Sequence, residues 1–296
     1  VNQQKASHAK INLFLYVTGK RPDGYHNLFS LMTKIGLSDV MTFTFNDTPG
    51  VTIFCNHPQV PEDETNLAHR AASLFFRSCE NQKKNISVPG VAIDIQKNIP
   101  VGGGLGGGSS NAATVLSTLN ARYHDLFSRR ELMEMGRRLG ADIPFFLFEG
   151  PALATGVGER LTRVPELRPR YVVVSDSGIA ASTAQVYQAH DFCLTSRGKY
   201  TIESASNILS TGQDVDVRPY LHNDLEAAAF RLYPEIKAVR DDMARLLQQT
   251  VTMSGSGGAL FSLFSDEKSA ARAYELLQKH RAWKNRPVFL TALQNT

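Results

Sequence analysis

Pro100-Val101-Gly102-Gly103-Gly104-Leu105-Gly106-Gly107-Gly108-Ser109-Ser110-Asn111 sets six glycines within seven positions. Upstream, Val91, Ile93 and Ile95 alternate as a strand does, and downstream Ala112, Val115, Leu116 and Leu119 repeat at helical spacing. The order is strand, loop, helix. Glycines let the backbone reach positive φ and approach a ligand closely, and the unpaired amides at a helix start, with the positive end of its dipole, suit an anion. Ser109 and Ser110 add hydroxyls that could cap the helix, touch phosphate oxygens or help hold a magnesium ion. So much glycine loses substantial backbone entropy on ordering, a poor choice for a merely flexible connection. Other phosphate loops fit worse. No Lys follows Gly108 as a Walker A motif requires, no second strand with a ribose-binding acid follows, and neither H-R-D-L nor D-F-G occurs.

Working outward, Ile11, Leu13, Leu15 and Val17 fall on one face of a strand over 9–17, leaving Lys10, Asn12, Phe14 and Tyr16 together on the other. Residues 40–45 and 51–55 read as two strands with a tight connection through Asn46-Asp47-Thr48-Pro49-Gly50. Residues 66–79 read as a helix. Ser128 with Glu131 forms a capping-box pattern ahead of another, which Gly140 is placed to end. Gly158, Pro165 and Pro169 among charged residues mark the best domain crossing, so the expected division is 1–165 and 166–296. Beyond it come a strand at 171–175, helices near 183–189, 224–233 and 235–248, and a strand near Val251. Gly-rich Ser254 to Gly258, a strand at 260–264, a helix at 267–280 and a strand at 288–293 complete the pattern. Strand and helix mix without strict alternation, which favours an α+β fold.

At 296 residues, with 42% hydrophobic and 20% charged, the chain has the balance of a folded globular protein rather than a disordered one. Its apolar runs fall short of a membrane-spanning helix, and its N-terminus enters a strand-like pattern without a secretory-signal run. Cys55, Cys79 and Cys193 are scattered, which speaks against a disulfide scaffold or zinc site and for a reducing cytoplasm. The net charge of +4 is spread without a basic run, so neither nucleic acid nor membrane is an expected partner.

The run Pro100 to Asn111 with Ala112-Ala113 resembles the phosphate loop of the GHMP small-molecule kinases. Ala9-Lys10-Ile11-Asn12-Leu13 is similar to that family's first motif, and Ser254-Gly255-Ser256-Gly257-Gly258-Ala259 to its C-terminal glycine-rich motif. Within the family, Gly19-Lys20-Arg21-Pro22-Asp23-Gly24-Tyr25-His26, Gly140-Ala141-Asp142-Ile143-Pro144 and Gly156-Val157-Gly158-Glu159 resemble the branch that phosphorylates a hydroxyl of a cytidine-diphosphate-linked sugar alcohol on the non-mevalonate route to isoprenoid precursors. The resemblance implies a two-domain fold, with an N-terminal ATP-binding domain of the ribosomal-protein-S5 second-domain type and a ferredoxin-like C-terminal domain. It also implies ATP with Mg2+, a small-molecule acceptor, and a monomer or weak homodimer.

Phosphoryl transfer to a hydroxyl needs aligned reactants, stabilised charge on the transferred group and removal of the hydroxyl proton. By resemblance Asp142 is the base, although just before Pro144 it could also serve as a helix cap. Lys10 is its basic partner, and Gly102–Ser110 with Pro100 and Val101 form the ATP phosphate loop. Asn66 and Lys97 match positions that contact adenosine, while capping and solvation explain them equally well. Tyr25 and His26 follow a Pro-Asp-Gly turn, which would present an aromatic plane and an imidazole to a nucleobase. Thr183 and Tyr187, four apart on a helix, can share a face and complete the cytosine pocket, with Tyr25 and Tyr187 sandwiching the base and Phe192 as an alternative second plane. Asn12 could bond the reacting end of the acceptor. Asn223-Asp224 is read as capping. The rival readings are another GHMP kinase of homoserine or mevalonate type, or a non-catalytic nucleotide-sensing module.

Overall fold

The computed structural model describes residues 2–81, 90–190, 206 and 215–295; Phe192 and Cys193 lie outside them. In chain order the elements are β1 (Asn2–Lys20), β2 (His26–Asn46), β3 (Val51–Cys55), α1 (Leu67–Asn81), β4 (Gly90–Gln96), α2 (Gly107–Arg122), α3 (Arg129–Leu139) and α4 (Ile143–Leu147). Next come β5 (Ala152–Gly156), β6 (Arg160–Arg163), β7 (Leu167–Arg168), β8 (Tyr171–Asp176), α5 (Thr183–Gln188), β9 (Val215–Asp216), β10 (His222–Asn223) and α6 (Glu226–Leu232). The remaining elements are α7 (Pro234–Leu247), β11 (Thr252–Met253), β12 (Ala259–Phe264), α8 (Glu267–Lys279) and β13 (Val288–Gln294). The class is α+β, as expected. No helix among the described residues is long and apolar enough to cross a membrane.

The chain divides into two compact units. The first takes the residues up to Ala9, Leu37–Val101 and Gly106–Glu149, and the second takes Lys10–Gly36, Gly102–Leu105 and everything from Gly150. This grouping differs from the sequential division at 165/166, because β1 and β2, 19 and 21 residues long, each give one part to either unit.

In the first unit β4 lies between β2 and β3. Phe43 sits opposite Ile93 in the antiparallel pair, and Ile93 opposite Ile53 in the parallel one. The connection at 46–50 therefore closes no hairpin. The parallel pair β3 and β4 is instead joined by a crossover that includes α1, as parallel neighbours require. Phe43, Ile93 and Ile53 share one core with Ala68, Ala71, Ala72 and Phe75 of α1 and Ala112, Val115, Leu116 and Leu119 of α2. Phe75 meets Phe127 edge-on, at 5.2 Å between ring centroids. The capping box of α3 is complete: Glu131 N–H donates to Ser128 Oγ at 3.4 Å, and Ser128 N–H to Glu131 Oε2 at 2.8 Å. Gly140 ends that helix in extended backbone.

In the second unit the buried β8 runs antiparallel between β12 and β13, with Val173 opposite Ser262 on one side and Leu290 on the other. β13 continues to β2, where Leu293 faces Ile35, and β10 lies parallel to β1, where Phe14 faces His222. Helices α6, α7 and α8 supply Ala228, Ile236, Met243 and Leu277 to the core around Val173 and Leu260. The two faces of β1, one with Ile11, Leu13, Leu15 and Val17 and the other with Lys10, Asn12, Phe14 and Tyr16, are both closed from solvent, with Lys10 and Asn12 each 4% exposed.

Candidate active site

Within the second unit, β1 and the two glycine-rich segments meet backbone to backbone. Lys10 N–H donates to Leu105 O at 3.0 Å and Ala259 N–H to Gly103 O at 2.9 Å. The Ser254 hydroxyl donates to Gly104 O at 3.3 Å and accepts from Asn12 N–H at 3.3 Å. Gly104 has φ +78°, and a Cβ there would stand 2.3 Å from Ser254 O, so only glycine allows this approach. Lys10 and Asn12 do share a face: the ammonium donates to Asn12 Oδ1 at 2.6 Å, and Asn12 Nδ2 donates to the Ser30 hydroxyl at 2.9 Å. A Cβ on Gly255 would lie 3.5 Å from Lys10 Nζ and 3.6 Å from Asn12 Oδ1. A buried ammonium thus lies against backbone stripped of side chains, an arrangement that can take an anion.

The turn before β2 is built by Gly24 at φ +87° and by Asp23, which accepts from Tyr25 N–H at 3.1 Å. Tyr25 projects outward, 64% exposed. Tyr187 stacks on His26, at 5.2 Å between centroids and 27° between planes. Burial first, then the charges of Lys20 and His190, hold the His26 imidazole below its usual pKa. Thr183 Oγ1 lies 2.7 Å from Ser256 Oγ, so one side chain of α5 touches the second glycine segment while another, Tyr187, touches His26.

The first unit holds the rest of the loop. Gly106, at φ 71°, is the N-cap of α2 and no side chain caps the helix, so Ser109 and Ser110 do not take that role. The Ser110 hydroxyl instead accepts from Ser7 Oγ at 2.8 Å. Gly107 and Gly108 form the first turn, whose amides have no intrahelical acceptor. Pro100 and Val101 are half-buried where the loop begins. Asn66 does cap α1, its Oδ1 accepting from Ala68 N–H at 2.8 Å. Lys97 is no solvated loop residue. Its ammonium donates to Asp39 Oδ2 at 2.5 Å and to Asn111 Oδ1 at 3.4 Å, and a Cβ on Gly107 would lie 3.0 Å from it. Asp142 occupies the N-cap position of α4, yet its side chain makes no cap hydrogen bond. Asp142 belongs to the first unit and Lys10 to the second.

Three residues of these networks were not singled out as site candidates: Asp39, fully buried and accepting from Asn98 N–H, Ile99 N–H and Asn111 Nδ2, Ser254, and Asn223, expected to cap a helix whose N-cap is in fact Leu225. Their partners lie far off in sequence; the glycine-rich motif marks the segment of Ser254, but no local pattern announces the distant bonds of Asp39 and Asn223.

The chain matches the family descriptions "GHMP kinases N terminal domain" over residues 66–150 and "GHMP kinases C terminal" over 205–281. It is 40% identical over 280 residues to the 4-diphosphocytidyl-2-C-methyl-D-erythritol kinase of Geobacter sp. (strain M21), covering 95% of this chain and 96% of that one. A crystal structure of 4-(cytidine 5'-diphospho)-2C-methyl-D-erythritol kinase superposes with a TM-score of 0.79 at 37% identity, covering 99% of this chain and all of the other. The L. major mevalonate kinase solved with R-mevalonate shares the fold, with a TM-score of 0.69 at 16% identity over 99% of this chain and 96% of that one.

Proposed function

The chain belongs to the GHMP kinase family, and from that premise we propose how its residues divide the reaction of a 4-diphosphocytidyl-2-C-methyl-D-erythritol kinase. It transfers a phosphoryl group from ATP to a hydroxyl of that cytidine-diphosphate-linked sugar alcohol, in the non-mevalonate route to isoprenoid precursors. The near full-length likeness at 40% identity carries this reading, and the docked glycine segments around Lys10 support it.

We assign the ATP phosphates to Gly102–Ser110, where free first-turn amides and the absence of side chains suit an anion. Lys10 stabilises charge on the transferred group, and Asn12, bonded to it, orients the acceptor hydroxyl. Asp142, at the N-cap position of α4, takes the hydroxyl proton as general base. Lys97 and Asn66 are assigned to the adenosine end. Tyr25, His26, Thr183 and Tyr187 are assigned to the cytosine end, supported by the stacked His26 and Tyr187 rings. The matched family segments fall on either side of 165, which supports 1–165 and 166–296 as the family domains.

Magnesium is proposed as the companion of ATP. Such an ion keeps several waters and takes one or two protein oxygens besides substrate phosphates, a demand that the half-buried Ser109 hydroxyl in the first turn of α2 meets. When bound it neutralises phosphate charge. Cytoplasmic residence and a monomer or weak homodimer remain part of the same proposal. The test is ADP release with 4-diphosphocytidyl-2-C-methyl-D-erythritol, homoserine and mevalonate as acceptors. Release with the first alone is expected. Turnover of either of the others in its place, or of none, overturns the assignment.

A further inference from the structure

We infer that Asn223 is a positioning residue for phosphoryl transfer, holding the second glycine-rich segment against β1 where Lys10 and Asn12 stand. The inference rests on the reaction assigned above.

Asn223 is 4% exposed and uses both ends of its amide. Its Oδ1 accepts from Leu225 N–H at 2.9 Å, which opens the turn into α6. That half is an ordinary Asx turn two residues long, not a cap, since Leu225 is the N-cap of α6 and takes no side-chain cap bond, and an aspartate would perform it equally well. Its Nδ2 does something an aspartate cannot. It donates to Met253 O at 2.8 Å and to Gly255 O at 2.7 Å, spending both amide hydrogens on two carbonyls of one short segment.

The placement gives this grip its consequence. Asn223 faces Leu15 in the parallel pairing of β10 with β1, and Asp224 secures the same register by accepting from Val17 N–H at 2.8 Å while its own N–H donates to Leu15 O at 2.9 Å. The amide therefore ties β1 to the segment that carries Gly255. Gly255 has φ +60°, and its Cα face looks onto Gly104 O, Lys10 Nζ and Asn12 Oδ1. Ser254, one residue earlier, bridges Asn12 N–H and Gly104 O. Releasing the two carbonyls frees the Gly255 peptide to turn, and with it the wall against which the Lys10 ammonium is set. The cytosine end meets this segment at Ser256, whose hydroxyl lies 2.7 Å from Thr183 Oγ1, a contact that uses neither released carbonyl, so acceptor binding is affected far less than turnover.

Asn223→Asp keeps the acceptor for Leu225 N–H and removes both donors, while Asn223→Ser keeps a hydroxyl acceptor in case the carboxylate prevents folding. For a folded variant kcat falls roughly tenfold to a hundredfold, since small misplacement of reacting groups costs about that much. Both KM values stay near those of the wild type, because the lost interaction matters in the transition state. Deuterium uptake of the 252–259 peptide rises in parallel. Wild-type kcat and uptake in Asn223→Asp reduce Asn223 to a turn residue before α6 and overturn the inference, as does loss of folding in both variants, which makes the residue structural. Wild-type protein that releases no ADP with the acceptor refutes the reaction instead. The exchange experiment then still decides whether Asn223 holds the segment.

Discussion

Lys97 Nζ and Asp39 Oδ2 stand 2.5 Å apart, in side chains 4% and 0% exposed, at the start of the helix that follows the glycine loop. Asp39 also accepts from two backbone amides and from Asn111, whereas Lys97 has Asn111 Oδ1 as its further acceptor. The two partners are therefore unequal. Asp39→Ala strands a buried ammonium and should cost roughly 3–5 kcal/mol in urea unfolding. Lys97→Met leaves Asp39 three donors and should cost clearly less. Equal losses would show that the pair is not arranged around the carboxylate.

Asp142→Asn conserves shape and removes the proton acceptor. Turnover should fall by about 10²–10⁴-fold, the usual contribution of a general base, while ATP affinity by calorimetry stays unchanged. Because the side chain provides no cap bond to α4, the substitution removes none from that helix. Turnover near wild type would end the role assigned to Asp142.

Two glycines of the loop should answer substitution differently. Gly104→Ala forces a methyl group toward Ser254 O at positive φ, so thermal stability should drop. At Gly108 the added methyl meets Leu67 Cδ1 at an ordinary 3.5 Å, so Gly108→Ala should fold normally. Its effect should appear in weaker ATP binding, because the residue lies exposed at the helix start. Unaltered ATP affinity in folded Gly108→Ala counts against the phosphate cradle.

Tyr25→Ala should weaken acceptor binding by the loss of a stacking plane, about 1–3 kcal/mol by analogy with base stacking on aromatic side chains. Tyr187→Ala should do the same and also release His26. ATP affinity should not change in either, and Phe at each position should restore acceptor binding. A loss shared equally by ATP would place these rings elsewhere than at the cytosine end.

The depressed pKa of His26 also makes stability depend on pH. The unfolded imidazole, with the usual histidine pKa near 6.5, takes a proton before the folded one does as pH falls. Its contribution is then complete above that value and is lost as pH falls toward the lower folded pKa. A His26→Gln variant should show a shallower acid decline in melting temperature than the wild type. Parallel declines would remove His26 as the cause.

Features with a local cause could be read from the chain. Ser128 and Glu131 sit within one turn, and the glycines stand directly before the helix they introduce, so spacing alone located both. Partner choice has no such signature. Residues 40–45 and 51–55 read correctly as strands, yet their patterns do not say that β4 comes between them. The alternation of β1 puts Lys10 and Asn12 on one face but does not reveal Ser30 and Ser254, whose hydrogen bonds to Asn12 let that face stay buried. Asp39 and Lys97 lie 58 positions apart, and neither carries a mark of the other. Asn223 shows the same limit within one side chain, for its turn bond to Leu225 N–H is local and its hold on Gly255 is not.

The pairing of Ile35 with Leu293 sets an order of events during synthesis. Ribosomes deliver about 5–20 residues per second, and domains tend to fold as units while the chain emerges. The first unit has all its strands and helices once residue 149 is out. In β2, made long before, residues Leu28–Met32 find their partner as soon as β5 is out, but the stretch at Lys34 and Ile35 must wait for β13 before its edge is covered. Until then it offers unpaired backbone to any passing strand, a hazard that grows with the length of the wait. Slow translation of the C-terminal half should therefore lower soluble yield, and a nascent chain arrested before β13 is the form that calls most on chaperones.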